Sequence, residues 1–391
     1  MAVMFKRISH ASRTVAVAAL LTFGVHALAQ DLVQGHPDRY VVQEGDTLWS
    51  IAGKFLQRPW LWPEIWQANP QVANPHEIYP GDVISLAYGD RGTVATLRPG
   101  PRESVSPVNA IPLGEIEPFL KDLHVVGSFE QLPYVVALEE DRLRASSGNV
   151  AYVRGLQASP GERFTIYRPT VKYGFVERAG LCCDLHPASD LDNRGVERDD
   201  WRRTWSHALF PAKDSAVLGH ELMRVNAGTV TRGAVAGMEA STLLLDDTGH
   251  EVRPGDRLMR VDPQPYDLMF TPHAPAVQQD YGRLQVMSVA DGLTTAGPRS
   301  VVAISGGARQ GIDNGTVFSI WRVGSNVADP IEHKFGHGDF TGFEKKVRLP
   351  DEYAGHVMVF RTFENVSYGL VMESIRPTQV GYELKHPDAP Y

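Results

Sequence analysis

Residues 40–86 carry apolar residues at spacings that predict secondary structure. Apolar residues recur there at helical spacing over two turns: Leu48, Ile51, Ala52 and Phe55. This spacing places the four side chains on one face and predicts an amphipathic helix. Short runs of strand-forming residues precede and follow it, at residues 40–42 and 83–86, and they predict two strands.

Cap and turn residues divide the same stretch into four elements. Asp46 or Thr47 can cap the first helix by accepting hydrogen bonds from its first amides. Pro63 suits the first turn of a second helix, because its missing N–H would have no helical partner there. The breaks that end elements are Pro59 after the first helix, Asn69 with Pro70 after the second, and Pro80, Gly81 and Asp82 before the last strand. The predicted order is strand, helix, helix, strand.

The rest of the chain is dominated by short apolar runs bounded by glycine or proline, which predict strands. Residues 161–168 (GERFTIYR) resemble residues 315–322 (GTVFSIWR), and such a repeat indicates two related units. We expect β-rich subdomains at residues 119–263 and 281–387. Each unit closes with a turn in which a glycine suits a positive φ: Gly255 and Gly381.

A turn-rich passage, residues 87–96, and a proline-rich stretch, residues 98–118, separate the first module from these subdomains. The proline content predicts a semi-rigid linker at residues 98–118. The fold class expected is α+β: a small βααβ module, a proline-rich linker and a mainly-β C-terminal region of two related subdomains.

The N-terminus has the pattern of a secretory signal peptide. A basic start is followed by an apolar run at residues 15–25, which is too short to span a bilayer comfortably. Ala27 and Ala29 fit an A-x-A cleavage site. We therefore predict that residues 1–29 are removed and the mature chain is exported, with no membrane span after cleavage.

Composition limits the partners and the source of stability. Hydrophobic residues make up 43% and charged residues 21% of the 391, as in ordinary globular proteins. A net charge of −8 argues against nucleic acid as a partner, but not against a neutral glycan. The two cysteines, Cys182 and Cys183, are adjacent, a geometry that strains a disulfide, so stability is expected to come from a core.

Residues 40–86 resemble the LysM family, and we place the module at residues 40–87. The segments that carry the resemblance are residues 40–42 (YVV), 45–52 (GDTLWSIA), 66–70 (WQANP) and 78–82 (IYPGD). The resemblance implies a βααβ domain that binds N-acetylglucosamine-containing glycans such as peptidoglycan and chitin.

In the LysM family the glycan lies in a shallow groove between the loop after the first strand and the loop before the second. For this chain the resemblance implies nine glycan-binding residues: Gly45, Asp46, Thr47, Leu48, Asn69, Pro70, Ile78, Tyr79 and Pro80. At Gly45 the backbone can approach a ligand closely. Thr47 can also cap the helix, and Leu48 and Ile78 can equally be core residues, so both roles stay open for each.

Four of the seven tryptophans lie within this module: Trp49, Trp60, Trp62 and Trp66. We regard Trp49, Trp60 and Trp62 as a possible aromatic platform for sugar or for a protein partner. The other interpretation is packing, because a small domain without disulfides needs large side chains to fill its core.

The whole chain resembles the family of type IV pilus secretin-associated proteins in its order of signal peptide, LysM module, linker and C-terminal region. Further short matches are residues 132–136 (LPYVV), 152–155 (YVRG), 164–169 (FTIYRP) and 306–311 (GGARQG). The resemblance implies a periplasmic protein that ties an outer-membrane secretin to peptidoglycan. Peptidoglycan and a secretin are therefore the expected partners, and no cofactor is expected.

Catalytic patterns in the sequence are weak. His333 and His337 are spaced i, i+4, but Gly336 disfavours a helix there and no glutamate lies between them. Cys182 and Cys183 lack a nucleophile-elbow context. We therefore predict a protein that is not an enzyme and has no catalytic residue or metal. The alternative left open is a LysM-targeted peptidoglycan hydrolase or transpeptidase.

Overall fold

The computed structural model describes the chain in eleven segments. They are residues 32–63, 78–89, 92–98, 113–175, 188–192, 194–196, 216–234, 238–261, 270–290, 295–328 and 346–390. Contacts divide the chain into an N-terminal unit, Met1–Leu113 with Met269–His273, and a C-terminal unit, Gly114–Leu268 with Ala274–Tyr391. The predicted signal peptide lies outside the described residues.

The N-terminal unit is built on a three-stranded antiparallel sheet. Its strands are β1 (Arg39–Val41), β2 (Val83–Gly89) and β3 (Gly92–Arg98), in that order across the sheet. Helix α1 (Leu48–Phe55) and a short 3-10 helix (Pro59–Leu61) follow β1. The second helix is predicted to start at Pro63 and to end at Asn69, and all of it after Pro63 lies outside the described residues.

The prediction of a turn-rich passage at residues 87–96 is wrong, because most of these residues belong to strands β2 and β3, which form a hairpin. Leu86 pairs with Ala95 and Gly89 pairs with Gly92. The two glycines beside the connection gave the passage the composition of a turn. Strand β3 is specified instead by the β-forming residues that follow the two glycines, such as Val94 and Thr96.

The predicted apolar face of α1 is confirmed. Its four residues are at most 3% exposed and pack in one cluster with residues of the sheet and of the segment after the helix. The members of that cluster are Val42, Leu48, Ile51, Ala52, Phe55, Leu56, Trp62, Ile78 and Ile84. The helix is therefore held by burial of one face against β1 and β2.

The C-terminal unit contains an eight-stranded sheet, and six of its strands pair in a closed circuit. Its strands are β4 (Leu123–Val126), β5 (Tyr134–Leu138), β6 (Val150–Arg154), β7 (Arg163–Phe175), β8 (Ala188–Asp190), β9 (Ala216–Arg232), β10 (Ala240–Leu245) and β11 (Arg257–Arg260). The pairings run β5, β6, β10, β9, β7, β11 and return to β5. We call these six strands the first closed sheet; β4 extends from β9 and β8 from β7.

A second closed sheet follows it along the chain. Its strands are β12 (Val286–Val289), β14 (Val301–Ile304), β15 (Val317–Arg322), β18 (Glu352–Thr362), β19 (Ser367–Ser374) and β21 (Glu383–Lys385). They pair in the order β12, β14, β19, β18, β15, β21. The Leu384 N–H donates to the Leu284 carbonyl at 2.9 Å and closes the circuit. Two-stranded ribbons join β13 (Thr295–Ala296) to β20 (Thr378–Gln379) and β16 (Asn326–Ala328) to β17 (Lys346–Arg348).

Both closed sheets follow one order of strands, and the sequence repeat falls on the corresponding strands β7 and β15. Gly255 and Gly381 have φ of +98° and +84°, which confirms the positive φ predicted for them. Each donates its N–H at 2.8 Å to the first strand of its own sheet, to Val135 and Val286 respectively. The shared hydrogen bonds show that the two sheets are built on one plan.

Helix α2 (Leu113–Lys121) precedes the first closed sheet. Residues 113–118 of the predicted linker are therefore helical, and residues 99–112 lie outside the described residues. Arg361 of β18 donates to the carbonyl of Phe119 in this helix at 2.7 Å. In the described part of the chain, no helix combines the length and the apolar character needed to cross a membrane.

The α+β class expected from the sequence is wrong, because the chain is mainly β. The described residues hold two α-helices, of eight and nine residues, beside strands β1 to β21. The α+β prediction counted the helices of the short LysM-like module equally with the strands of the longer C-terminal region. That region supplies β4 to β21 and therefore decides the class.

Candidate functional site

The two loops assigned to glycan binding leave the N-terminal sheet at the same end. Val42, just after β1, donates its N–H to the Asp82 carbonyl at 2.9 Å and accepts from the Gly81 N–H at 2.8 Å. The first loop, residues 43–47, and the second, residues 78–82, are therefore held beside each other by sheet hydrogen bonds.

Asp46 fixes the shape of the first loop. Its Oδ2 accepts from the Tyr40 hydroxyl at 2.8 Å and from the Gln43 N–H at 2.9 Å. Burial raises the pKa of Tyr40 to about 12, and the hydrogen bond to Asp46 and its negative charge act in the same direction. The phenol therefore remains a donor near neutral pH. Gly45 beside it has φ of +85°, which an L side chain adopts only with strain.

Thr47 is the N-cap of α1, one of the two residues predicted to cap it. The Ser50 N–H donates to Thr47 Oγ1 at 3.1 Å, and the Thr47 N–H donates to Ser50 Oγ at 2.9 Å, which completes a capping box. The amide of Leu48, the first helical residue, has no acceptor within the helix, and the first turn carries no acidic side chain. The partial positive charge at this helix end suits the carbonyl oxygen of an acetamido group.

The second loop is a tight turn anchored by Asp82. The Asp82 N–H donates to the Tyr79 carbonyl at 3.0 Å, and its Oδ2 accepts from the Tyr79 N–H at 3.0 Å. Pro80 and Gly81 occupy the central positions, and Gly81 has φ of +94°, as a type II turn requires. The Asp82 side chain is fully buried. The loop is therefore fixed from within, and Tyr79 is presented at its start.

Burial separates the predicted groove residues into two groups. Leu48 and Ile78 are 1% and 0% exposed and belong to the core, and Pro80 is buried too. The side chains of Leu48 and Ile78 therefore pack in the core of the module. The residues that reach the surface are Gly45, which is exposed, and Asp46 and Tyr79, which are half-buried.

Asn69 and Pro70 lie outside the described residues. The glycan-binding assignment of all nine residues remains a prediction. The described part of the site consists of two fixed loops with main-chain donors and acceptors between them.

The structure does not support the aromatic platform predicted at Trp49, Trp60 and Trp62. The three side chains are 4%, 4% and 1% exposed, and the rings of Trp49 and Trp60 pack at 6.2 Å between centroids. Stacking on a sugar requires an exposed ring face. The alternative interpretation, packing in a small core, fits their burial.

Two residues that position the site were missed by sequence reasoning. The sequence places Tyr40 on a strand and Asp82 in a turn, both within LysM-like segments, but it gives neither side chain a role in the site. Both side chains anchor loop atoms, Tyr40 through Asp46 and Asp82 through the Tyr79 amide. The proline-glycine-aspartate turn was the available signal for Asp82, since aspartate side chains often bond a backbone amide in such turns.

The C-terminal unit contains a buried polar cluster between its two closed sheets. Glu221, which is 0% exposed, accepts from the hydroxyls of Thr170 at 2.6 Å, Tyr173 at 2.8 Å and Tyr368 at 2.7 Å. Burial, followed by the charge of Glu221, raises the pKa of both tyrosines well above the ordinary value. Tyr173 and Tyr368 are completely buried. Because the Glu221 carboxylate accepts from both of them, the cluster joins the two sheets.

The catalytic candidates Cys182, Cys183, His333 and His337 lie outside the described residues. Within the described residues, no three His, Cys, Asp or Glu side chains are grouped so that they could hold a metal ion. Neither observation decides between the binding protein and the enzyme.

Comparison with known proteins identifies one segment of the chain. Residues 40–87 match the LysM domain family. The chain is also similar to a protein described as uncharacterized, YqbP of Bacillus subtilis (strain 168), at 35% identity over 60 residues. That alignment covers 13% of this chain and 27% of the relative, so the chain spans about a quarter of the protein it matches.

The N-terminal module is therefore a LysM domain, a binding domain rather than a catalytic one, and LysM domains bind N-acetylglucosamine glycans of peptidoglycan. A binding function agrees with the structure, in which two fixed loops lie side by side at one end of the sheet.

Proposed function

We propose that the protein binds peptidoglycan through the groove between residues 43–47 and 78–82, and holds its C-terminal unit at the cell wall without cutting the glycan. The observation that carries this proposal is the LysM match at residues 40–87, placed on a module whose two loops are hydrogen-bonded beside each other.

The groove recognises the glycan mainly through the backbone. Gly45 carries no side chain, and beyond its two chain neighbours no atom lies within 4 Å of the position a Cβ would take, so a sugar ring can approach the loop closely. The start of α1 provides amide donors for the acetamido carbonyl, and Tyr79 provides a partly exposed ring for an apolar face of the sugar. A shallow groove of this kind binds weakly as a single site, and several copies along one glycan would raise the overall affinity.

The finer proposal is that this protein works in the periplasm as an anchor for an envelope assembly, with an outer-membrane secretin as its partner. The signal-peptide pattern of residues 1–29 and the resemblance to secretin-associated proteins support it. The C-terminal unit fits an assembly role, because its two closed sheets are joined by the buried contact of Glu221 with Tyr368. A body joined in this way can present a fixed surface to a partner.

Co-sedimentation with purified peptidoglycan sacculi tests the wall-binding function. The mature chain is expected in the pellet, and a chain lacking residues 40–87 is expected in the supernatant. The muropeptides released during incubation are analysed in the same experiment. Equal sedimentation of both chains would contradict binding through the module, and release of muropeptide fragments would contradict a non-catalytic function.

Co-purification from solubilised Gram-negative envelopes tests the anchoring function. The tagged protein is expected to bring down a secretin with or without residues 40–87, because the C-terminal unit makes that contact. Absence of any secretin would contradict the anchoring proposal and leave wall binding intact.

A further inference from the structure

The ribbon of β16 and β17 has one face with exposed apolar side chains. Val327 and Val347 are directly opposed in the ribbon, so their side chains lie on the same face. Leu349 follows two residues after Val347, and residues two apart in an extended chain share a face. The three side chains are 40%, 47% and 43% exposed, and they form a continuous apolar row.

A two-stranded ribbon is marginally stable by itself in water. Here Leu349 donates its N–H to the Ser325 carbonyl at 3.0 Å, and the Gly324 N–H donates to Asp351 at 3.0 Å. These bonds fix the base of the ribbon and leave its apolar row facing outward. An exposed row of this kind is typical of a surface that a partner covers.

Positive charge is in excess at the base of the ribbon. Glu352 forms ion pairs with two arginines, Arg322 at 3.3 Å and Arg376. Asp351 is shared in the same way by two cations, Arg348 at 3.3 Å and Lys385 at 2.6 Å. Four cations on two carboxylates leave two positive charges uncompensated among these six groups. The three arginine side chains are between 49% and 64% exposed, so their charge faces solvent.

A recess of about 190 Å³ adjoins the apolar row, and Leu349 and Pro350 are among the residues that line it. Arg322, Gly324 and Glu352 line the same recess. The recess therefore combines apolar side chains with an arginine side chain. A side chain of a bound peptide fits such a place better than a flat lipid surface does, since the recess is concave.

From these four features we propose that the ribbon surface, formed by Val327, Val347, Leu349, Arg322, Arg348 and Arg376, docks an extended acidic segment of a partner protein. The segment adds a strand along the ribbon, directs alternate apolar side chains to the apolar row and places its carboxylates against the arginines. This inference rests on the proposed function in one respect, namely that the C-terminal unit binds a protein.

Peptide binding to the full mature chain tests the inference. The probes are a synthetic fluorescent peptide that alternates glutamate with valine, its counterpart with lysine in place of glutamate, and vesicles of phosphatidylcholine with phosphatidylglycerol. The glutamate peptide is expected to bind at least about ten-fold more tightly than the lysine peptide.

Two variants and two matched controls locate the binding. The double variant Val347→Thr with Leu349→Ser removes apolar surface and keeps a β-branched residue in the strand. Arg348→Glu reverses one charge of the surface. Each is expected to weaken binding of the glutamate peptide by about ten-fold. Val136→Ser, at a position 45% exposed, and Arg309→Glu, in an exposed ion pair with Glu364, are expected to bind as the unchanged chain does. Circular dichroism of every variant confirms folding.

Equal binding of both peptides, or unchanged binding by the surface variants, would overturn the inference. Binding to the vesicles alone, lost in the same variants, would overturn it in favour of a membrane surface. Sacculus co-sedimentation is measured on the same proteins and is expected to stay unchanged. If neither the unchanged chain nor any variant sediments with sacculi, wall binding is contradicted, and the inference about the ribbon surface is unaffected.

Discussion

The hydroxyl of Tyr368, on β19 of the second closed sheet, donates to the carboxylate of Glu221, on β9 of the first, at 2.7 Å. Both side chains are completely buried. The same carboxylate accepts from Tyr173 at 2.8 Å, so a single acidic group is bonded to both sheets. Hydrogen bonds to a charged acceptor are stronger than those between neutral groups. This contact makes the stability of one sheet depend on the other.

Tyr368→Phe is expected to lower the free energy of unfolding of the C-terminal unit by about 1–3 kcal/mol, because it removes one donor from a buried carboxylate. Tyr152→Phe is the matched control. Tyr152 lies half-buried on β6, and its replacement is expected to change stability by less than about 0.5 kcal/mol. Urea unfolding measures both variants, and equal values for the two would contradict a structural role for the contact.

Two glycines of the LysM module are expected to respond to alanine in opposite directions. Gly45 has φ of +85°, so Gly45→Ala strains the backbone and is expected to lower stability by about 1 kcal/mol. Gly53 lies inside α1, and an added Cβ would meet Pro59 at 3.5 Å, which is ordinary contact. Gly53→Ala is expected to raise stability by about 0.5–1 kcal/mol. Thermal unfolding measures the stability of both variants. A change of stability in the same direction for both would contradict the conformation of the first loop.

The carboxylate of Asp351 gives a defined pH dependence. Burial acts to raise its pKa, but hydrogen bonds from Lys385, from the Gly324 amide and from Arg348 outweigh it and lower the pKa from 3.8 to about 2. Since the pKa is lower in the folded state, the carboxylate stabilises the fold above about pH 4. This contribution is lost as the pH falls towards 2.

Asp351→Asn is therefore expected to cost about 1 kcal/mol at pH 7, a value reduced by solvent screening of the partly exposed partners. The cost is expected to shrink as the pH falls below 4. Urea unfolding at pH 7 and at pH 3 measures it, with Glu44→Gln in the exposed first loop as the control. A cost that is the same at both pH values would contradict the ionic role of Asp351.

Sequence patterns over a few neighbouring residues predicted the features that those residues determine by themselves. The face of α1 follows from the spacing of Leu48, Ile51 and Phe55, and the positive φ of Gly255 and Gly381 follows from the need for a turn. The closure of each sheet joins strands far apart in the chain, such as β5 with β11. No local pattern specifies which distant strands pair, so the shared circuit could not be predicted from the repeat alone.

The sequence predicted the loop conformations of the candidate site, but not the exposure of its side chains. The family pattern indicated residues 45–48 and 78–80, and their backbone conformations agree with loops that face one end of the sheet. Tryptophan suits both a sugar platform and a core, and only tertiary packing decides which. The burial of Trp49, Trp60 and Trp62 depends on contacts that composition does not encode.

Backbone amide chemical shifts of the full mature chain, recorded by NMR during titration with an oligomer of N-acetylglucosamine, test the central claim most directly. We expect the largest shifts at Gly45, Asp46, Leu48 and Tyr79, with intact oligomer at the end of the titration. Shifts confined to the C-terminal unit, or cleavage of the oligomer, would contradict a non-catalytic glycan site between the two loops.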